Sequence, residues 1–580
     1  MPSGLKAAFI AGLLLLPVYS GRTAESEVRR EWSANWISHP TAPLREPGVF
    51  HFRKIFELPN SPDRFIVHVS ADNRFLLFVN GHRVGEGPAR SDLRHWHYET
   101  FDLAPFLTSG RNVIAATVWQ FGVLAPIAQV SDRLAFLMEG DTKAETVVNT
   151  DSSWEVEHEA GHMPTRALPE GLWNYYAAGP GERIDGSVYD WDWLKGASNT
   201  GHWVKVGFAM RESIYPQGSR AVSATQGGDL RWWLLPDPLP PMEFVEVSSG
   251  RVVRSTVSGA SSFPATPVLI PAKTDAKLLI DAGVMVSAYP QLIVTGGEGS
   301  HIQLAYTEAL YDSKQQRGNR NEVGDRVVLG VTDEFVPDGG EARSLMPLWW
   351  RTWRFVEIRV HTSDTPLTLI GFHTFYTAYP FVERGTFSAS DPQLAQIREI
   401  SWRTARLDAH ETYMDTAYWE QLQYIGDTRI QALISYVVSG DDRLARQALV
   451  AFDRSRISDG ITQSRYPSSL VQLIPTFSLL YVDMLHDFWM YRGDADFLKQ
   501  LLPGTRPVLA WFERLQRSDG FLGALPYWDF VDWPGGDEKF PALDEQGRSS
   551  VLTLQFISAL RDAGKMEENF GDRALAQRYR

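Results

Sequence analysis

The sequence has no cysteine among its 580 residues. This absence excludes disulfide bonds, thiolate catalysis, cysteine-ligated zinc and a lipid anchor attached to cysteine. A surplus of basic residues is missing as well, because the formal net charge is -14 and the pI is about 5.5. Proteins that follow the phosphates of nucleic acids need a basic face, so we expect no nucleic-acid partner. The charge instead favours a neutral or cationic ligand.

Long hydrophobic runs are missing except at the N-terminus. Residues 1–20 combine Lys6 with an apolar run from Ala7 to Val18. This pattern predicts a secretory signal peptide, because the run is too short for a bilayer-spanning helix. An uncleaved membrane anchor is the alternative. We therefore expect a periplasmic or extracellular protein that has no membrane segment after signal cleavage.

The chain is long enough for three or four domains, and 44% of its residues are hydrophobic. Roughly the first 380 residues alternate apolar and polar positions between Gly, Pro, Asn and Asp, which is typical of antiparallel sheets. The period then becomes helical. We predict a multidomain β plus α protein in which N-terminal jelly-roll β-sandwiches precede a helical toroid. The predicted segments are a lectin-like β-sandwich region at 31–245, a second β-sandwich at 246–384 and the helical domain at 385–580.

Short patterns in the first half predict individual elements. The dipeptide Asn80-Gly81 lies between two alternating runs and predicts a two-residue hairpin turn. A further strand is predicted at Asn112–Gly122, and a long loop at Asp312–Asp325. Two separate strands are predicted at 276–283 and 290–297.

In the helical half, Asp391 and Pro392 suit the N-cap and the first turn of a helix. The apolar residues Leu394, Ile397 and Ile400 follow the stripe of that helix. Further helices are predicted at Glu420–Val438, Asp442–Arg454, Val471–Tyr491, Ala495–Arg517, Val551–Gly564 and from Asp572 onward.

The segment Tyr413–Gln431 carries the residues best suited to chemistry. Glu420, Tyr424 and Asp427 are spaced by four and then three, which places them on one face of the predicted helix. Asp415 lies just ahead and can fold toward them. Glycosidic cleavage needs a carboxylic acid that keeps its proton; neighbouring carboxylates raise its pKa, and an aromatic ring supports the sugar. The alternative is a set of solvated helix residues with Asp415 as a cap.

A second acidic and aromatic cluster lies in the loop Leu525–Glu538. Trp528 and Trp533 could cover the C–H faces of a sugar, and Asp529 and Asp532 could accept hydrogen bonds from its hydroxyls. The alternative is a loop that its tryptophans plug into the core. Loops at one end of a helical scaffold commonly carry function, so we predict a sugar-binding site here.

Stretches spread over the chain after the predicted signal share a family pattern. They are WSANWI (32–37), VNGHRVGEGPARSDLRHWHYETFDLAPFL (79–107), GPGERIDGSVYDWDW (179–193), YTEALY (306–311), PLWWRTWRFVEI (347–358) and DTAYWEQLQYIGD (415–427). In these stretches the chain resembles bacterial α-L-rhamnosidases, which are inverting glycoside hydrolases with an (α/α)6 barrel. The resemblance implies removal of terminal α-L-rhamnose from glycans or glycosides, a carbohydrate substrate and no organic cofactor. No metal-ligating residues are predicted, and a calcium ion in a β-sandwich stays open without assigned ligands.

The family carries an Asp, a Glu five residues later and an Asp seven residues after that, with an aromatic residue between them. Asp415, Glu420, Tyr424 and Asp427 match these positions. The resemblance implies that Glu420 is the general acid and that Asp415 and Asp427 bind the rhamnose hydroxyls. Many members have Arg and Trp where this chain has Gln421 and Tyr424, and this departure bears on which sugar fits.

An inverting hydrolase also needs a general base roughly 6.5 to 9.5 Å from the acid. The family supplies it from a Glu far downstream, whereas only 160 residues follow Glu420. About seven helices are predicted after Asp391, and a closed ring of six hairpins needs twelve. We therefore expect a C-terminally truncated chain in which 385–580 forms the first half of an incomplete barrel and the general base is absent.

Two other functions stay open on the sequence alone. A non-catalytic carbohydrate-binding protein would keep its sugar binding after Glu420→Gln and would show no hydrolysis. A different exo-glycosidase or a polysaccharide lyase on the same helical toroid would act on other sugars, and a lyase would leave an unsaturated product that absorbs ultraviolet light. The oligomeric state is not predicted.

Overall fold

The computed structural model describes residues 32–168, 175–195, 202–209, 232–533 and 541–580. The predicted signal peptide at 1–20 lies outside these residues, as does the end of the predicted sugar-binding loop at 534–538. None of the helices in the described part of the chain is both long enough and apolar enough to cross a membrane.

The β-rich part of the chain ends at Tyr376. The strands up to residue 236 are β1 (Ile37–Ser38), β2 (Gly48–Leu58), β3 (Ile66–Asp72), β4 (Arg74–Val79), β5 (His82–Gly87), β6 (Trp96–Asp102), β7 (Gly110–Gln120), β8 (Ala135–Gly140), β9 (Glu155–His158), β10 (His162–Thr165), β11 (Gly181–Asp185), β12 (Val204–Lys205), β13 (Gly207–Phe208) and β14 (Leu234–Pro236). The strands that follow are β15 (Val245–Val247), β16 (Arg251–Ser255), β17 (Val268–Ile270), β18 (Asp275–Gly296), β19 (His301–Thr307), β20 (Val331–Val336), β21 (Arg343–Leu345), β22 (Arg351–His361) and β23 (Leu367–Tyr376).

Two six-stranded sheets form the first β-sandwich. Their strand orders are β13-β1-β8-β3-β6-β14 and β12-β9-β2-β7-β4-β5. Apolar side chains from both sheets, including Phe52, Val67, Leu77 and Phe136, are buried in one core. The alternating pattern produces this layer because successive side chains on a strand point to opposite faces. The predicted N-terminal β-sandwich is confirmed.

The hairpin predicted at Asn80-Gly81 joins β4 to β5. Val79 pairs with His82 across a two-residue turn, and Asn80 and Gly81 have φ angles of 49° and 81°. Both residues tolerate this left-handed conformation, which is why the dipeptide favours such turns. The Asn80 side chain also accepts the backbone N–H of Val113 at 2.9 Å, so the turn is tied to β7.

The second β region is built on an 11-stranded sheet. The strand order along its main path is β10-β11-β20-β19-β22-β18-β23-β15, while β16 and β21 pair with β18 and β17 pairs with β23. Ile280, Leu304, Trp353 and Phe372 lie in its buried core. The predicted loop at Asp312–Asp325 contains no helix and only an isolated bridge, as expected.

One strand prediction in this region is wrong. The two strands predicted at 276–283 and 290–297 are parts of a single 22-residue strand, β18. Its register with β22 shifts between Asp281 and Val286, and Gly283 has a φ of 81° within that irregularity. A bulge of this kind bends a strand without ending it. The glycine therefore marks a bulge and not a turn.

The described residues contain seven α-helices. They are α1 (Pro392–Leu407), α2 (Ile425–Val438), α3 (Arg443–Arg454), α4 (Pro475–Arg492), α5 (Ala495–Leu515), α6 (Ser550–Phe570) and α7 (Arg573–Tyr579). Asp391 caps α1 by accepting the backbone N–H of Gln393 at 2.9 Å, as the sequence predicts. The mostly β architecture followed by a helical domain is thus confirmed.

Two expectations for the helices are corrected. The helix predicted from Glu420 begins at Ile425, because residues 415–422 close into a turn of their own. The apolar stripe of α1 does not enter the core formed by the described residues, where Leu394, Ile397 and Ile400 are 43%, 56% and 61% exposed. Helical periodicity gives the face on which such residues lie but not the neighbour that covers it.

Candidate active site

The turn at residues 415–422 holds the predicted acid. The backbone N–H of Asp415 donates to the carbonyl of Leu422 at 2.9 Å, and the backbone N–H of Leu422 donates to Asp415 Oδ1 at 3.0 Å. The backbone N–H of Glu420 donates to the Thr416 hydroxyl at 3.2 Å. These bonds close the turn and fix the backbone that carries the Glu420 side chain.

The predicted common helical face of Glu420, Tyr424 and Asp427 is not formed. Glu420 lies five residues before the first residue of α2, Tyr424 is the extended residue that precedes the helix, and Asp427 is in its first turn. The cluster forms nevertheless, because the turn brings Glu420 back toward the start of α2. Tyr424 Oη donates to Glu420 Oε2 at 3.1 Å.

Asp415 and Glu420 form an interacting pair of carboxyl groups. Burial, followed by the nearby Glu420 charge, raises the pKa of Asp415 to about 8. Burial also raises the pKa of Glu420, against the opposing effects of the Tyr424 hydrogen bond and the Arg465 charge. Two carboxyl groups that share a partly desolvated site cannot both ionise easily. The pair therefore keeps a proton near neutral pH.

Further carboxyl groups surround this pair. Burial raises the pKa of Asp427, and the charges of Glu420 and Asp532 raise it further. Asp408, which the sequence did not single out, has a pKa raised to about 7 by burial and by the charges of Glu308 and Asp427. The site concentrates carboxyl groups in a half-buried place. This arrangement suits proton donation and the binding of sugar hydroxyls.

Two residues of the site escaped the sequence reasoning. Arg465, on the connection between α3 and α4, is buried and donates from Nη1 to Tyr424 Oη at 2.7 Å and to Tyr175 Oη at 3.0 Å. Tyr175 belongs to the β-rich part of the chain and is 48% exposed. A single Arg 45 residues after Glu420 has no periodicity or motif that could reveal its role.

The second predicted cluster has its tryptophans at the surface. Trp528 is 41% exposed and Trp533 is 77% exposed, with 6.2 Å between their ring centroids. The alternative in which these tryptophans plug the loop into the core is wrong. Phe530 packs against the core instead, 6.3 Å from the ring of Phe477, which itself lies 6.3 Å from the Tyr424 ring. Aromatic contacts thus connect the two predicted clusters.

The two acidic residues of this loop differ in their environments. Asp529 Oδ2 accepts the backbone N–H of Leu525 at 2.9 Å, which fixes the loop. Asp532 Oδ1 accepts the backbone N–H of Trp533 at 2.7 Å, and the Asp532 charge acts on Asp427. Of the pair, Asp532 is the one brought close to the first cluster.

A buried ion cluster links the segment just before the turn to the first β-sandwich region. Glu411 binds Arg74 Nη1 at 2.8 Å and Arg90 Nε at 2.6 Å, and both arginines come from the first β-sandwich region. Burial opposes the ionisation of Glu411, but the two guanidinium groups lower its pKa to about 2. Trp349 Nε1 donates to Gln421 Oε1 at 2.8 Å. Both β regions therefore contact residues near Glu420 in the sequence: the first region contacts Glu411, and the second contacts Gln421.

The environment of the turn is completed by the second β region. Glu308 Oε2 accepts hydrogen bonds from Trp419 Nε1 at 3.0 Å and from Arg317 at 2.9 Å. Within the described ranges, no group of three or more His, Asp and Glu residues is arranged to hold a metal ion.

Three models of one protein family match the chain in order. The bacterial α-L-rhamnosidase N-terminal domain matches residues 60–226, the concanavalin-like domain matches 272–373 and the 6-hairpin glycosidase domain matches 382–580. No curated protein matches the chain in sequence.

Solved structures with the same fold are found among rhamnosidases. The GH78 family rhamnosidase of Bacillus sp. GL1 is 18% identical with a TM-score of 0.78, and the match covers 95% of this chain and 76% of that one. The α-L-rhamnosidase from Aspergillus terreus is 15% identical with a TM-score of 0.71, covering 94% of this chain and 60% of that one. The Streptomyces avermitilis α-L-rhamnosidase complexed with L-rhamnose is 16% identical with a TM-score of 0.63, covering 92% of this chain and 47% of that one.

These comparisons agree with the observed fold. The chain spans about three quarters of the Bacillus protein and about half to three fifths of the other two. At these identities the solved structures establish the fold, and the three domain models establish the family. The chain belongs to the bacterial α-L-rhamnosidase family.

Proposed function

We propose that this protein hydrolyses terminal α-L-rhamnosides of glycans or glycosides, with Glu420 as the general acid. The observation that carries the proposal is the Asp415 and Glu420 pair, because burial raises the pKa of both carboxyl groups. A catalytic acid must keep its proton near neutral pH to protonate a leaving oxygen. The family supports the substrate class, and its Streptomyces relative is complexed with L-rhamnose.

In the proposed reaction, Glu420 gives its proton to the glycosidic oxygen while the bond from that oxygen to the anomeric carbon breaks. The sugar ring passes through an oxocarbenium-like transition state. Water attacks the anomeric carbon from the opposite face and loses a proton to a general base, so the configuration of that carbon inverts. Glu420 is left as a carboxylate, and the Tyr424 hydroxyl donates to it.

The surrounding residues hold the sugar in this proposal. Asp415 and Asp427 lie beside Glu420 and bind rhamnose hydroxyls. Trp528 and Trp533 present exposed rings to the C–H faces of the sugar or of its aglycone. Asp532 adds an acceptor near Asp427, whereas Asp529 shapes the loop through Leu525.

We assign no general base among the described carboxyl groups around Glu420. Water needs a base to take its proton, whereas azide is already an anion and needs none. We therefore expect the 580-residue chain to cleave phenyl α-L-rhamnoside much faster with azide than in water alone. With azide it should release phenol and form the β-L-rhamnosyl azide, which liquid chromatography and NMR identify.

The control variants separate the acid from its surroundings. Glu420→Gln should lower the azide reaction by roughly 100- to 10,000-fold, the usual contribution of a general acid. Glu399→Gln, which changes an exposed glutamate on α1, should leave it unchanged. Rhamnose binding with no turnover in either condition would favour a carbohydrate-binding protein and contradict the proposal. Hydrolysis in water alone at the rate seen with azide would show that a residue of this chain acts as the general base. It would leave the role of Glu420 as the acid unchanged.

We also propose that the protein is exported to the periplasm or the cell exterior. Residues 1–20 have the pattern of a signal peptide, and the absence of cysteine suits a chain that relies on large cores outside the cytoplasm. Cell fractionation tests this directly. Deletion of residues 1–20 should keep the protein in the cytoplasm, and unchanged export after the deletion would refute the assignment.

A further inference from the structure

We propose that Arg465 is a positioning residue that acts on Glu420 through the Tyr424 hydroxyl and determines which Glu420 oxygen delivers the proton. The contacts form one line, from Arg465 Nη1 to Tyr424 Oη at 2.7 Å and from Tyr424 Oη to Glu420 Oε2 at 3.1 Å. The inference rests on the proposed function, in which Glu420 is the acid. No motif in the sequence indicates a role for Arg465.

The direction of each hydrogen bond follows from the chemistry of the groups. A guanidinium group has only donors, so Tyr424 Oη must accept from Arg465. The hydroxyl has a single hydrogen, which it gives to Glu420 Oε2. Oε2 is thereby held as an acceptor. Oε1 is left as the oxygen that carries the proton destined for the leaving group.

The backbone also fixes this line of contacts. Tyr424 and Arg465 form an isolated β-bridge, and the neighbouring Ile425 N–H donates to the Ser464 carbonyl at 3.0 Å. The Arg465 guanidinium lies 5.5 Å from the Tyr424 ring centroid. Arg465 is only 5% exposed, and its Nη1 is shared with Tyr175. The donor is therefore oriented before a substrate arrives.

Arg465 and Tyr424 favour the ionised form of Glu420, and a hydrogen bond from Asp415 favours it as well. Asp415 and Asp427 are acidic, whereas Arg465 is cationic and Tyr424 is a neutral donor. Burial raises the pKa of Glu420, and the Tyr424 hydrogen bond and the Arg465 charge counteract that rise. The same two groups stabilise the carboxylate that remains after proton transfer.

The line of contacts from Arg465 through Tyr424 to Glu420 forms a relay, and this relay depends on the tyrosine of this chain. A Trp at position 424 would present an indole N–H, which can donate but cannot accept from a guanidinium group. The Tyr424 hydroxyl can accept from Arg465 and donate to Glu420 at the same time, whereas an indole cannot. The departure at Tyr424 thus gives this chain a different way of orienting the acid.

The test follows the Glu420 carboxyl group itself and needs no turnover. The ¹³C carboxyl resonance of Glu420, assigned by its loss in Glu420→Gln, is titrated in the full chain. Arg465→Gln and Tyr424→Phe should each raise its midpoint by about half a pH unit or more. The double variant should shift it by less than the sum of the two, because both changes break one line of contacts.

Two controls accompany the titration. Arg465→Lys keeps a cationic donor and should restore most of the wild-type midpoint. Arg403→Gln removes an exposed guanidinium group on α1 and should leave the midpoint unchanged. Tyr424→Phe removes one oxygen atom only, so it remains informative even where a change at Arg465 prevents folding.

The outcomes separate the relay from the proposed function. Unchanged midpoints in Arg465→Gln and Tyr424→Phe, or strictly additive shifts, would overturn the relay. Shifted midpoints in a chain with no rhamnoside turnover, even with azide, would retain the relay and refute the proposed function. Where turnover occurs, Arg465→Gln should lower kcat more than it changes KM and move the basic limb of the pH profile upward.

Discussion

Replacing Glu411 tests how the β regions support the active-site turn. In Glu411→Ala the guanidinium groups of Arg74 and Arg90 lose their shared carboxylate, although their side chains are only 6% and 1% exposed. Breaking a buried ion pair from one side costs about 3–5 kcal/mol, because the remaining charge stays buried without compensation. We expect Glu411→Ala to lower the free energy of unfolding by that amount.

The pKa of Glu411 gives a second route to this magnitude. The carboxyl group has a pKa of about 2 in the folded protein, against an ordinary value of 4.5. At about 1.4 kcal/mol for each pH unit, this difference corresponds to roughly 3 kcal/mol. Because the folded pKa is depressed, the stabilisation is fully present above pH 4.5 and is lost as the pH falls toward 2. The free energy obtained from the pKa thus lies at the lower end of the range expected for breaking the buried ion pairs.

Urea unfolding followed by tryptophan fluorescence measures this effect, and Trp349 lies 4.5 Å from the Arg74 guanidinium. Glu399→Ala is the matched control, because its pair with Arg403 is exposed and should contribute less than about 1 kcal/mol. The difference between wild type and Glu411→Ala should shrink from pH 4.5 to pH 2. A difference below about 1 kcal/mol at pH 7, or one that persists at pH 2, would show that the Glu411 ion pairs do not stabilise the fold as described.

Three further predictions concern the sugar loop and the scaffold. Trp533→Ala should weaken rhamnose binding several-fold in calorimetry without changing the melting temperature, because the ring is 77% exposed; unchanged affinity would remove Trp533 from the binding surface. Asp391→Ala deletes the cap on the Gln393 N–H and should lower the free energy of unfolding by about 1 kcal/mol, so an unchanged urea midpoint would contradict the capping role. Gly181→Ala would place a Cβ 2.1 Å from the Thr332 carbonyl oxygen, and we expect about 1–3 kcal/mol of destabilisation or loss of soluble protein; wild-type stability would show that β11 can move away.

Local chemistry made part of the fold predictable. The Asn80-Gly81 turn and the Asp391 cap depend on residues within a few positions of each other, and both are confirmed. The bulge near Gly283 was not predicted, because a glycine in a strand pattern looks the same at the end of a strand and in a bulge. Only pairing with β22 distinguishes the two.

The site was predictable in its residues but not in its geometry. Asp415, Glu420 and Asp427 were found through their acidic pattern and the family resemblance. The helix that was expected to carry Glu420, Tyr424 and Asp427 on one face begins later, at Ile425. Glu411 and Arg465 were missed, because their partners lie far away in the sequence. Such contacts arise from tertiary packing, which a spacing pattern within one segment does not contain.

The aromatic loop shows a similar limit. The stretch from Trp528 to Trp533 contains three large aromatic residues, and its sequence does not say which of them enters the core. Phe530 packs against Phe477, and this leaves both tryptophans exposed. Packing against α4 determines which aromatic residue of the loop is buried, and the local sequence does not contain this information.

The role of Glu420 as general acid is tested most directly by comparing how much activity Glu420→Gln loses on substrates with different leaving groups. The ratio of kcat/KM between wild type and Glu420→Gln is measured with azide for methyl α-L-rhamnoside and for 2,4-dinitrophenyl α-L-rhamnoside. An alkoxide must be protonated as it departs, whereas dinitrophenolate leaves without help. We expect a loss of roughly 100- to 10,000-fold for the methyl glycoside and little loss for the dinitrophenyl glycoside. An equal loss for both substrates would contradict the assignment of Glu420 as the proton donor.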